Sequence, residues 1–405
     1  MGIVVTAPEE VVQTTVELPG SKSLSNRLLI MAALSGHRLD LPGLAESQDT
    51  HDLVRLLESP SGVLQAGEGG TTFRFALAYL TLQEGTFELH ASGRMTQRPI
   101  APLVEALQHL GAEIEYLDQQ GRAPVRVQGN PNLPGGTLTI DTQQSSQFAT
   151  ALMLIGPYLK GGLVLELEGQ PVSASYLRMT ERLMQQSGVP VAVRDGKVFI
   201  PAGQYRLGRV QVERDWSAAG YWYAVTALCE GAQVELPGLF ANSWQGDRIA
   251  AEWFAPLGVE TFYSAKGALL MHTTRHSQTL TLHASQYPDM VPTLLVVAAC
   301  KGVTVQLYGI QHLRHKESNR LMALQRELKQ LGGTFAPKDD HWLFTPGELP
   351  TTPPEIITYN DHRMAMAFAP AALALGQIEL AEKEVVKKSY PHFWTDLQQA
   401  GFGIR

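Results

Sequence analysis

The chain has 405 residues, more than the roughly 250–300 at which a single hydrophobic core stops growing, so we expect two domains. With 44% hydrophobic and 18% charged residues, its composition is that of an ordinary globular protein. The formal net charge of −7 argues against nucleic-acid binding, which needs a basic face, and no apolar run approaches the roughly 18 residues of a membrane span. We therefore expect neither nucleic acid nor a membrane as a partner.

The two cysteines, Cys229 and Cys300, lie in apolar runs without a C-x-x-C partner. This pattern favours buried, reduced thiols over a disulfide, a metal site or a nucleophile. Reduced thiols fit a cytoplasmic protein, and the N-terminal residues are not typical of a signal peptide. The sequence therefore predicts cytoplasmic localisation.

The first predicted helix follows a Pro-Gly turn in the run 18–31, LPGSKSLSNRLLIM. A helix N-terminus offers unpaired N–H groups and the positive end of a dipole, to which Lys22 and Arg27 add full charges. The run lacks the G-x-x-x-x-G-K-[ST] pattern of a nucleotide-binding loop. It predicts a site for a phosphate or a carboxylate, although taken alone it fits two solvated charges on an amphipathic helix equally well.

A similar pattern recurs along the chain, in which a polar cluster precedes an apolar helix that ends at a glycine and passes into a strand. The polar clusters begin at Ser21, Thr71, Ser145, Asp215, Pro288 and Asn360. Successive clusters lie about 50, 74, 70, 73 and 72 residues apart. The first interval is short by roughly one β-hairpin, so we expect the first copy to lack its hairpin.

Each copy is predicted to contain two helices. The apolar helices of the later copies are predicted over 72–82, 146–159, 218–229, 290–300 and 363–375. The second helices, which are more polar and carry an apolar stripe, are predicted over 53–57, 103–110, 176–184, 249–257, 321–331 and 393–400. Because an almost wholly apolar helix cannot face water, we expect the first helices inside each domain and the sheets outside.

The six strand–helix–strand–helix–hairpin copies divide into two sets of three, which predicts a mixed α/β (α+β) fold with two domains. The predicted domains are residues 21–214, and residues 1–20 together with 215–405. The chain would cross between them near 20–21 and near 214–215, which would make a hinge. The polar starts of the apolar helices would then face a shared cleft.

Cations are concentrated in these polar clusters and at the starts of second helices, at Lys22, Arg27, Arg98, Lys316, Arg320, Arg363 and Lys388. Two phosphates and two carboxylates carry roughly −5 to −6, which such a set can neutralise. Ser145, Ser146 and Gln147 add neutral donors and acceptors at a helix start, as an N-cap, as ligand contacts, or as both. Asp289 and Glu317 lie beside the cations and suit proton transfer, although an Asp after Tyr-Pro is more typical of a turn.

Six runs stand in order along the chain: LPGSKSLSNR (18–27), GGTTFR (69–74), RMTQRP (94–99), SSQ (145–147), KESNR (316–320) and YNDHRM (359–364). Together they resemble the 5-enolpyruvylshikimate-3-phosphate synthase family over nearly the whole chain. The resemblance implies transfer of the enolpyruvyl group of phosphoenolpyruvate to the 5-hydroxyl of shikimate 3-phosphate, with release of phosphate, through a tetrahedral intermediate. It also implies a two-domain inside-out α/β barrel of six βαβαββ units that closes over the substrates.

By the same resemblance, shikimate 3-phosphate is bound by Lys22, Ser23, Arg27, Ser145, Ser146, Gln147, Ser173, Tyr176, Asp289 and Lys316. Phosphoenolpyruvate is bound by Lys22, Gly70, Arg98, Gln147, Arg320, Arg363 and Lys388. The implied catalytic residues are Lys22, Asp289 and Glu317, with Asp289 as the base toward the attacking hydroxyl and Glu317 or Lys22 as the source of the methylene proton. His362 fits a structural role and a phosphate contact equally well. The resemblance implies small-molecule partners and no cofactor, and we expect a monomer.

Three features depart from the family pattern: Glu68 in place of Asn, Asn319 in place of Asp, and the missing first hairpin. A Glu68 carboxylate facing the phosphoenolpyruvate pocket would oppose the negative charge of the donor, whereas one facing solvent would complement the helix dipole. We favour the solvent-facing orientation. Gly70 is retained, and in the family a glycine here leaves room for the inhibitor glyphosate.

Two other functions share features with this one. The related enolpyruvyl transferase that acts on UDP-N-acetylglucosamine shares the fold and the donor, but it uses a reactive cysteine on a mobile loop and lacks the S-K-S-x-S-N-R opening. A non-catalytic phosphometabolite-binding protein on the same fold would not need Lys22, Asp289 and Glu317. No metal is predicted, because Arg314 and Lys316 crowd the i, i+3 pair His312 and His315 with positive charge.

Overall fold

A computed structural model describes residues 2–58, 60–143, 145–169 and 172–405 of the chain. The chain divides into two compact units. The central unit is Gly20–Val212, and the terminal unit combines Met1–Pro19 with Glu213–Arg405. The terminal unit therefore takes strands from both ends of the chain, beginning with β1 (Ile3–Thr6) and β2 (Gln13–Thr15).

The central unit alternates helices with short strands. Its helices are α1 (Lys22–Leu34), α2 (Gln48–Glu58), α3 (Gly70–Leu80), α4 (Ala101–His109), α5 (Ser146–Ile155) and α6 (Ala174–Gln186). Its strands are β3 (Gly62–Gln65), β4 (Gly85–His90), β5 (Glu113–Tyr116), β6 (Val125–Gly129), β7 (Gly136–Asp141), β8 (Leu163–Glu168), β9 (Ala192–Arg194) and β10 (Lys197–Ile200). Short 3-10 helices cover Gly93–Gln97 and Gly156–Tyr158.

The terminal unit continues the same alternation. Its helices are α7 (Trp216–Leu228), α8 (Ala250–Phe254), α9 (Val291–Lys301), α10 (Arg320–Gln330), α11 (His362–Phe368), α12 (Ala372–Leu375) and α13 (Phe393–Gln399). Its further strands are β11 (Gln233–Pro237), β12 (Val259–Ser264), β13 (Gly267–His272), β14 (Thr279–His283), β15 (Thr304–Tyr308), β16 (Thr334–Lys338), β17 (His341–Thr345), β18 (Glu355–Ile356), β19 (Gln377–Leu380) and β20 (Gly403–Ile404). Its 3-10 helices cover Gly246–Ile249, Ala255–Leu257, Gln311–His315, Ala369–Ala371 and Lys383–Lys388.

The described strands form four-stranded sheets with one shared plan, in the orders β3-β4-β6-β5, β7-β8-β10-β9, β2-β11-β13-β12, β14-β15-β17-β16 and β18-β19-β1-β20. In each sheet the first two strands are parallel and the remaining pairs are antiparallel. A parallel pair needs a crossover, and in the β3-β4 and β14-β15 pairs the crossover is an apolar helix, α3 or α9. The same plan in every sheet shows that the copies are one structural repeat.

The last sheet is built from both ends of the chain. Strand β1 lies between β19 and β20, with Ile3 opposite Leu380 and Val5 opposite Ile404. In the other sheets that position belongs to the second strand of a local hairpin. The N-terminal strand therefore completes the sixth copy.

The apolar helices form the core of each unit. Helices α1, α3 and α5 pack on one another in the central unit, as do α7, α9 and α11 in the terminal unit. In α7 the consecutive residues Tyr221, Trp222 and Tyr223 are all buried, so this helix has no face directed to water. The predicted mixed α/β class and the predicted burial of the first helices are confirmed.

Three predicted helices are too long because each runs through a proline, whereas the helix predicted over 53–57 is too short, since α2 covers Gln48–Glu58. Helix α5 ends at the 3-10 helix that contains Pro157, and α8 ends at the 3-10 helix that contains Pro256. The helix predicted over 363–375 is split by the 3-10 helix that contains Pro370. Proline has no N–H to donate and clashes with the preceding turn, so the regular helical bonding cannot continue past it.

The strand predicted after the first apolar helix is also absent from the described residues. Residues 35–47 contain turns at Gly36 and Gly43, which have φ values of 70° and 78°, and Pro42 lies between them. Chain direction therefore changes twice where a strand would have to run straight. The missing hairpin is confirmed, because only residues 59–61 separate α2 from β3.

Candidate active site

The start of α1 carries a buried ion pair. Lys22 is its first residue, and its Nζ lies 2.8 Å from Oδ2 of Asp49, near the start of α2. Both side chains are largely removed from solvent. Thr72 of α3 donates a hydrogen bond from Oγ1 to the carbonyl oxygen of Asp49 at 2.7 Å. Three helix starts thus converge on Lys22 and fix the direction of its ammonium group.

Arg27 is buried one turn further along α1. Its Nε donates to Oγ1 of Thr180 at 2.8 Å, and its Nη1 and Nη2 donate to the carbonyl oxygens of Ser23 and Tyr176 at 2.7 and 3.3 Å. The rings of Phe75 and Tyr176 lie 5.6 and 5.8 Å from the guanidinium carbon. Burial lowers the pKa of Arg27 to about 10, so the group remains charged at neutral pH.

Gly70 opens α3 where two guanidinium groups come close to the backbone. A Cβ atom at this position would lie 2.5 Å from Nη1 of Arg98 and 2.9 Å from Nη1 of Arg74. Arg98 directly follows the 3-10 helix Gly93–Gln97 and is buried. The absence of a side chain at Gly70 therefore lets two cations reach the start of this helix.

Arg74 couples α3 to α5. Its Nη1 donates to Oε1 of Gln147 at 2.5 Å, its Nη2 donates to the carbonyl oxygen of Pro99 at 2.9 Å, and its guanidinium lies 4.9 Å from the centre of the Phe148 ring. Ser145 is the N-cap of α5, and its Oγ accepts from the N–H of Gln147 at 3.2 Å. The amide of Gln147 is thus held by its own helix start and by Arg74.

Ser173 has an unusual backbone at the start of α6. Its φ of 57° is left-handed, its Oγ makes no capping bond, and this buried hydroxyl has no hydrogen-bond partner among the described residues. Tyr176, one turn later, uses its carbonyl oxygen to accept from Arg27 and from Thr180. The structure thereby brings Arg27 and Tyr176 together and leaves the Ser173 hydroxyl available to a ligand.

Glu68 is only partly exposed, and its orientation relative to the donor pocket stays a prediction. Its carboxyl group packs over Gly93, where a Cβ atom would lie 2.1 Å from Oε1 of Glu68. Gly93 has a φ of 50° and begins the 3-10 helix that leads to Arg98. The carboxylate can take this position because residue 93 has no side chain.

In the terminal unit, Asp289 is bound between two arginines. Its Oδ1 lies 2.8 Å from Nη1 of Arg320, and its Oδ2 lies 2.7 Å from Nη2 of Arg363. Burial works against ionisation of Asp289, but Arg363, Arg320 and Lys316 outweigh it and hold the pKa of this carboxyl well below its usual range. Arg363 is also within hydrogen-bond distance of the Tyr221 hydroxyl, at 3.4 Å.

Arg320 is surrounded by three carboxylates. Besides Asp289, its Nη2 lies 2.7 Å from Oε2 of Glu317, and its Nε lies 2.7 Å from Oδ2 of Asp361. Burial disfavours the charge, yet Asp361, Glu317 and Asp289 together raise the pKa of Arg320 above its ordinary value. Asp361 is the N-cap of α11 and accepts from the N–H of Arg363 at 3.0 Å, which ties the two arginines to one carboxylate.

The remaining predicted residues of this unit lie on neighbouring elements. Lys316 follows the 3-10 helix Gln311–His315, and Lys388 ends the 3-10 helix that packs on α11. His312 is buried, and burial together with Lys316 lowers its pKa to about 3, so the imidazole is neutral. His362 is buried with Nδ1 3.9 Å from Oδ1 of Asp361, which is compatible with both roles considered for it. Asn319 caps α10 through Oδ1, a role that Asp also fills well.

Sequence reasoning missed three residues that organise these clusters. Arg74 and Asp361 lie inside the quoted runs, but a buried charge reveals its partner only in the folded chain. The sequence gives no sign of the role of Asp49, because its pairing with Lys22 spans 27 residues. The three positions share one property, which is a charged side chain buried inside the protein.

Two structural properties bear on the kind of site. Among the described residues, no three or more His, Cys, Asp or Glu side chains are placed to hold a metal ion. Within the same described ranges, no helix is both long enough and apolar enough to span a membrane.

Comparison with known proteins identifies the family. The family model for EPSP synthase (3-phosphoshikimate 1-carboxyvinyltransferase) matches residues 6–59 and 53–397. A 3-phosphoshikimate 1-carboxyvinyltransferase of Bacteroides fragilis is 41% identical over 408 residues, covering 100% of this chain and 99% of the relative. One from Vibrio cholerae serotype O1 is 33% identical over 426 residues, covering 97% and 98%.

The fold comparison agrees with the sequence comparisons. The solved structure of EPSP synthase from Acinetobacter baumannii matches with a TM-score of 0.79 at 22% identity, and the match covers 100% of both chains. At this identity the structural match supports the inside-out α/β barrel fold. The full-length family match and the relatives at 33–41% identity show that this chain belongs to the EPSP synthase family.

Proposed function

We propose that the two groups of side chains described above hold the substrates and move the protons of the family reaction. As a member of this family, the chain transfers the enolpyruvyl group of phosphoenolpyruvate to shikimate 3-phosphate in the shikimate pathway. The main observation behind the residue assignment is the set of ion pairs around Asp289. Arg320 and Arg363 both bind Asp289, and Arg320 also binds Glu317. Two acids and two cations in direct contact can bind an anion and transfer a proton in one place.

The central unit suits the acceptor. Arg27, Lys22 and Ser173 offer two cations and a buried hydroxyl, which match the charge and hydrogen-bonding needs of a phosphate group. Ser145 and Ser146 add hydroxyls at the start of α5, where the helix dipole favours an anion. We assign shikimate 3-phosphate to these residues together with Ser23, Gln147 and Tyr176, and to Asp289 and Lys316 of the terminal unit.

The donor is assigned to cations of both units, which are Lys22, Arg98, Arg320, Arg363 and Lys388, together with Gly70 and Gln147. Phosphoenolpyruvate carries a phosphate and a carboxylate, so it competes with Asp289 and Glu317 for the guanidinium groups of Arg320 and Arg363. Once the positive charge is shared with the donor, the pKa of Asp289 rises from its depressed value. Donor binding thereby makes Asp289 a better base.

The proposed sequence of steps uses these groups directly. Asp289 accepts the proton of the attacking hydroxyl of shikimate 3-phosphate while the hydroxyl oxygen bonds to C2 of phosphoenolpyruvate. Glu317 or Lys22 supplies a proton to C3, which completes the tetrahedral intermediate. The bond from C2 to the phosphate oxygen then breaks, and the group that supplied the C3 proton, Glu317 or Lys22, takes a proton back from C3, which forms the double bond of the product. Lys22 is held for this role by Asp49 at 2.8 Å.

A phosphate-release assay tests the proposed function. Purified protein with phosphoenolpyruvate and shikimate 3-phosphate should release phosphate, whereas phosphoenolpyruvate with UDP-N-acetylglucosamine should not. Release that depends on the sugar nucleotide, or no release with either acceptor, would contradict the assignment. An Asp289→Asn control should abolish the shikimate-dependent signal if the terminal-unit cluster carries out the chemistry.

Three finer features are also proposed. We expect the enzyme to act as a monomer in the cytoplasm, and the free thiols of Cys229 and Cys300 suit a reducing compartment. We also propose that glyphosate inhibits in competition with phosphoenolpyruvate, because the absence of a side chain at Gly70 lets the guanidinium groups of Arg98 and Arg74 reach the start of α3, where either anion would bind. Sedimentation and inhibition kinetics test these features directly.

A further inference from the structure

Two consecutive residues just before the Arg363 helix have a left-handed backbone. Tyr359 has a φ of 56° and Asn360 a φ of 52°. Neither is glycine, and a left-handed conformation costs a non-glycine residue on the order of 1–3 kcal/mol. For a bulky side chain such as Tyr359 this conformation is a genuine outlier. It persists only where surrounding contacts hold the chain in place.

Helix α10 supplies those contacts from one face. Glu327 is buried on this helix, its Oε1 accepts from the Tyr359 hydroxyl at 2.5 Å, and its Oε2 accepts from the N–H of Ile357 at 3.1 Å. Arg320, seven residues earlier and so on the same face, binds Asp361 through Nε at 2.7 Å. Helix α10 therefore binds the segment 357–361 both before and after the left-handed residue Asn360.

The C-terminal residue of this segment, Asp361, contacts the candidate donor site. Asp361 caps α11 by accepting from the N–H of Arg363, and Arg363 in turn lies 2.7 Å from Asp289. A second contact, from Thr358 to Glu382, holds the middle of the segment. Any change in the left-handed turn would move Asp361 and the first turn of α11, and with them the Arg363 guanidinium.

We propose that Glu327 is a positioning residue, which acts through Tyr359 to hold the left-handed turn at 359–360 and so to place Arg363 for phosphoenolpyruvate. The proposal rests on the assignment of Arg363 to the donor made above. Burial and Glu327 raise the pKa of Tyr359 to about 12, so the hydroxyl keeps the proton that it donates to Glu327. Glu327 touches no substrate in this role.

The first test removes only the tyrosine hydroxyl. Tyr359→Phe should raise KM for phosphoenolpyruvate about tenfold, while kcat and KM for shikimate 3-phosphate stay within about twofold. Tyr223→Phe is the matched control, since it removes a buried hydroxyl contact, to Thr261 at 2.9 Å, in the same unit. The control should lower the melting temperature by a similar amount without changing KM for phosphoenolpyruvate.

The second test reduces the strain of the left-handed backbone instead of removing a side-chain contact. Glycine adopts a positive φ at no steric cost, so Asn360→Gly added to Tyr359→Phe should return KM for phosphoenolpyruvate to within about threefold of the wild-type value. A residue that merely stabilises the fold would not show this rescue. Glu327→Gln, which keeps one acceptor oxygen, should raise KM for phosphoenolpyruvate less than Glu327→Ala does. These two variants test the proposal without a substitution at Tyr359.

Arg363→Ala separates failure of this proposal from failure of the site assignment. If Arg363→Ala raises KM for phosphoenolpyruvate but Tyr359→Phe and Glu327→Ala do not, Glu327 has no positioning role. If Arg363→Ala also leaves this KM unchanged, the assignment of the donor to Arg363 fails and the positioning proposal fails with it. If Tyr359→Phe raises KM for phosphoenolpyruvate and Asn360→Gly does not reverse this rise, the proposal is also overturned, because the effect would not pass through the left-handed turn.

Discussion

Arg27 in the central unit and Arg320 in the terminal unit are both fully buried, yet their partners differ in kind. Arg27 donates to a hydroxyl and two backbone carbonyls, which are all neutral. Arg320 contacts the carboxylates of Asp289, Glu317 and Asp361. Correspondingly, burial lowers the pKa of Arg27, whereas the carboxylates raise that of Arg320.

The difference shows how one structural repeat can produce two kinds of site. A buried cation with only neutral partners keeps its positive charge available to an incoming anion, so the Arg27 cluster suits binding. A cation surrounded by acids is already neutralised. The Arg320 cluster therefore suits proton transfer, because a donor anion that takes part of the positive charge raises the pKa of the carboxylates. Mutation of Arg27 is therefore expected to weaken binding of the acceptor most, and mutation of the Arg320 cluster is expected to slow proton transfer most.

The largest effect is expected in the Arg320 cluster. Asp289→Asn keeps the size of the side chain but removes the base, so kcat should fall about 1,000-fold, within the range of a lost general base. Steady-state phosphate release at saturating substrates measures it. Asp40→Asn, which alters an exposed carboxylate paired with Arg38, is the control and should leave kcat unchanged. A kcat within tenfold of wild type would remove Asp289 from the chemistry.

A smaller effect, confined to binding, is expected in the Arg27 cluster. Arg27→Lys keeps the charge but loses the fork that reaches Thr180 and two carbonyl groups, so Kd for shikimate 3-phosphate should rise about 30-fold, or roughly 2 kcal/mol. The kcat should stay within about threefold. Arg38→Lys, at an exposed ion pair, is the matched control. An unchanged Kd would show that Arg27 is only a structural residue.

Gly70→Ala tests the pair of guanidinium groups, from Arg98 and Arg74, that lies at the start of α3 in the central unit. The added Cβ would lie 2.5 Å from Nη1 of Arg98, so this guanidinium must move. We expect KM for phosphoenolpyruvate to rise about tenfold, and inhibition by glyphosate to weaken further because the longer molecule needs the same space. Gly203→Ala, where nothing lies within 4 Å of the new Cβ, should change neither. Equal kinetics for both variants would mean that the donor does not use Arg98.

The smallest effect concerns Asp247, a buried carboxyl near the terminal-unit cluster. Burial raises its pKa to about 7, and Asp289 adds to the shift while Arg363 opposes it. Between about pH 4 and pH 7 the folded protein keeps a proton that the unfolded chain has lost, so this group makes the fold less stable as pH rises through that window. Asp247→Asn has no such titration.

Urea unfolding at pH 6 and pH 8 measures this effect. The stability of Asp247→Asn relative to wild type should increase by about 1–2 kcal/mol from the lower to the higher pH. A difference that does not change with pH, or that changes in the opposite direction, would show that Asp247 is ionised throughout.

The sequence was informative where the pattern is local. An apolar run such as Val291–Lys301 is longer than a typical buried strand and so indicates a buried helix, and the polar residues before each run predicted where its charged start would lie. Prolines 157, 256 and 370 lie inside such runs, and apolar periodicity alone does not show that the helix breaks there.

Pairings across the chain were beyond sequence reasoning. Asp49 and Lys22 are 27 residues apart, Asp361 and Arg320 are 41 apart, and Arg74 and Gln147 are 73 apart. Each pair depends on how neighbouring copies pack, which a single sequence does not encode in any local spacing. The contact of Glu68 with Gly93 was beyond sequence reasoning for the same reason, since the two residues are 25 apart and only the folded turn brings them together.

The most direct test of the division between binding and chemistry is a calorimetric titration of Asp289→Asn with shikimate 3-phosphate. If the Arg27 cluster binds the acceptor and the Arg320 cluster performs the proton transfer, this variant should bind shikimate 3-phosphate within about tenfold of the wild-type Kd, a change of at most about 1.4 kcal/mol, although its turnover is lost. A Kd weakened as strongly as kcat, about 1,000-fold, would show that Asp289 contributes as much to binding the acceptor as to the chemistry and would contradict the division.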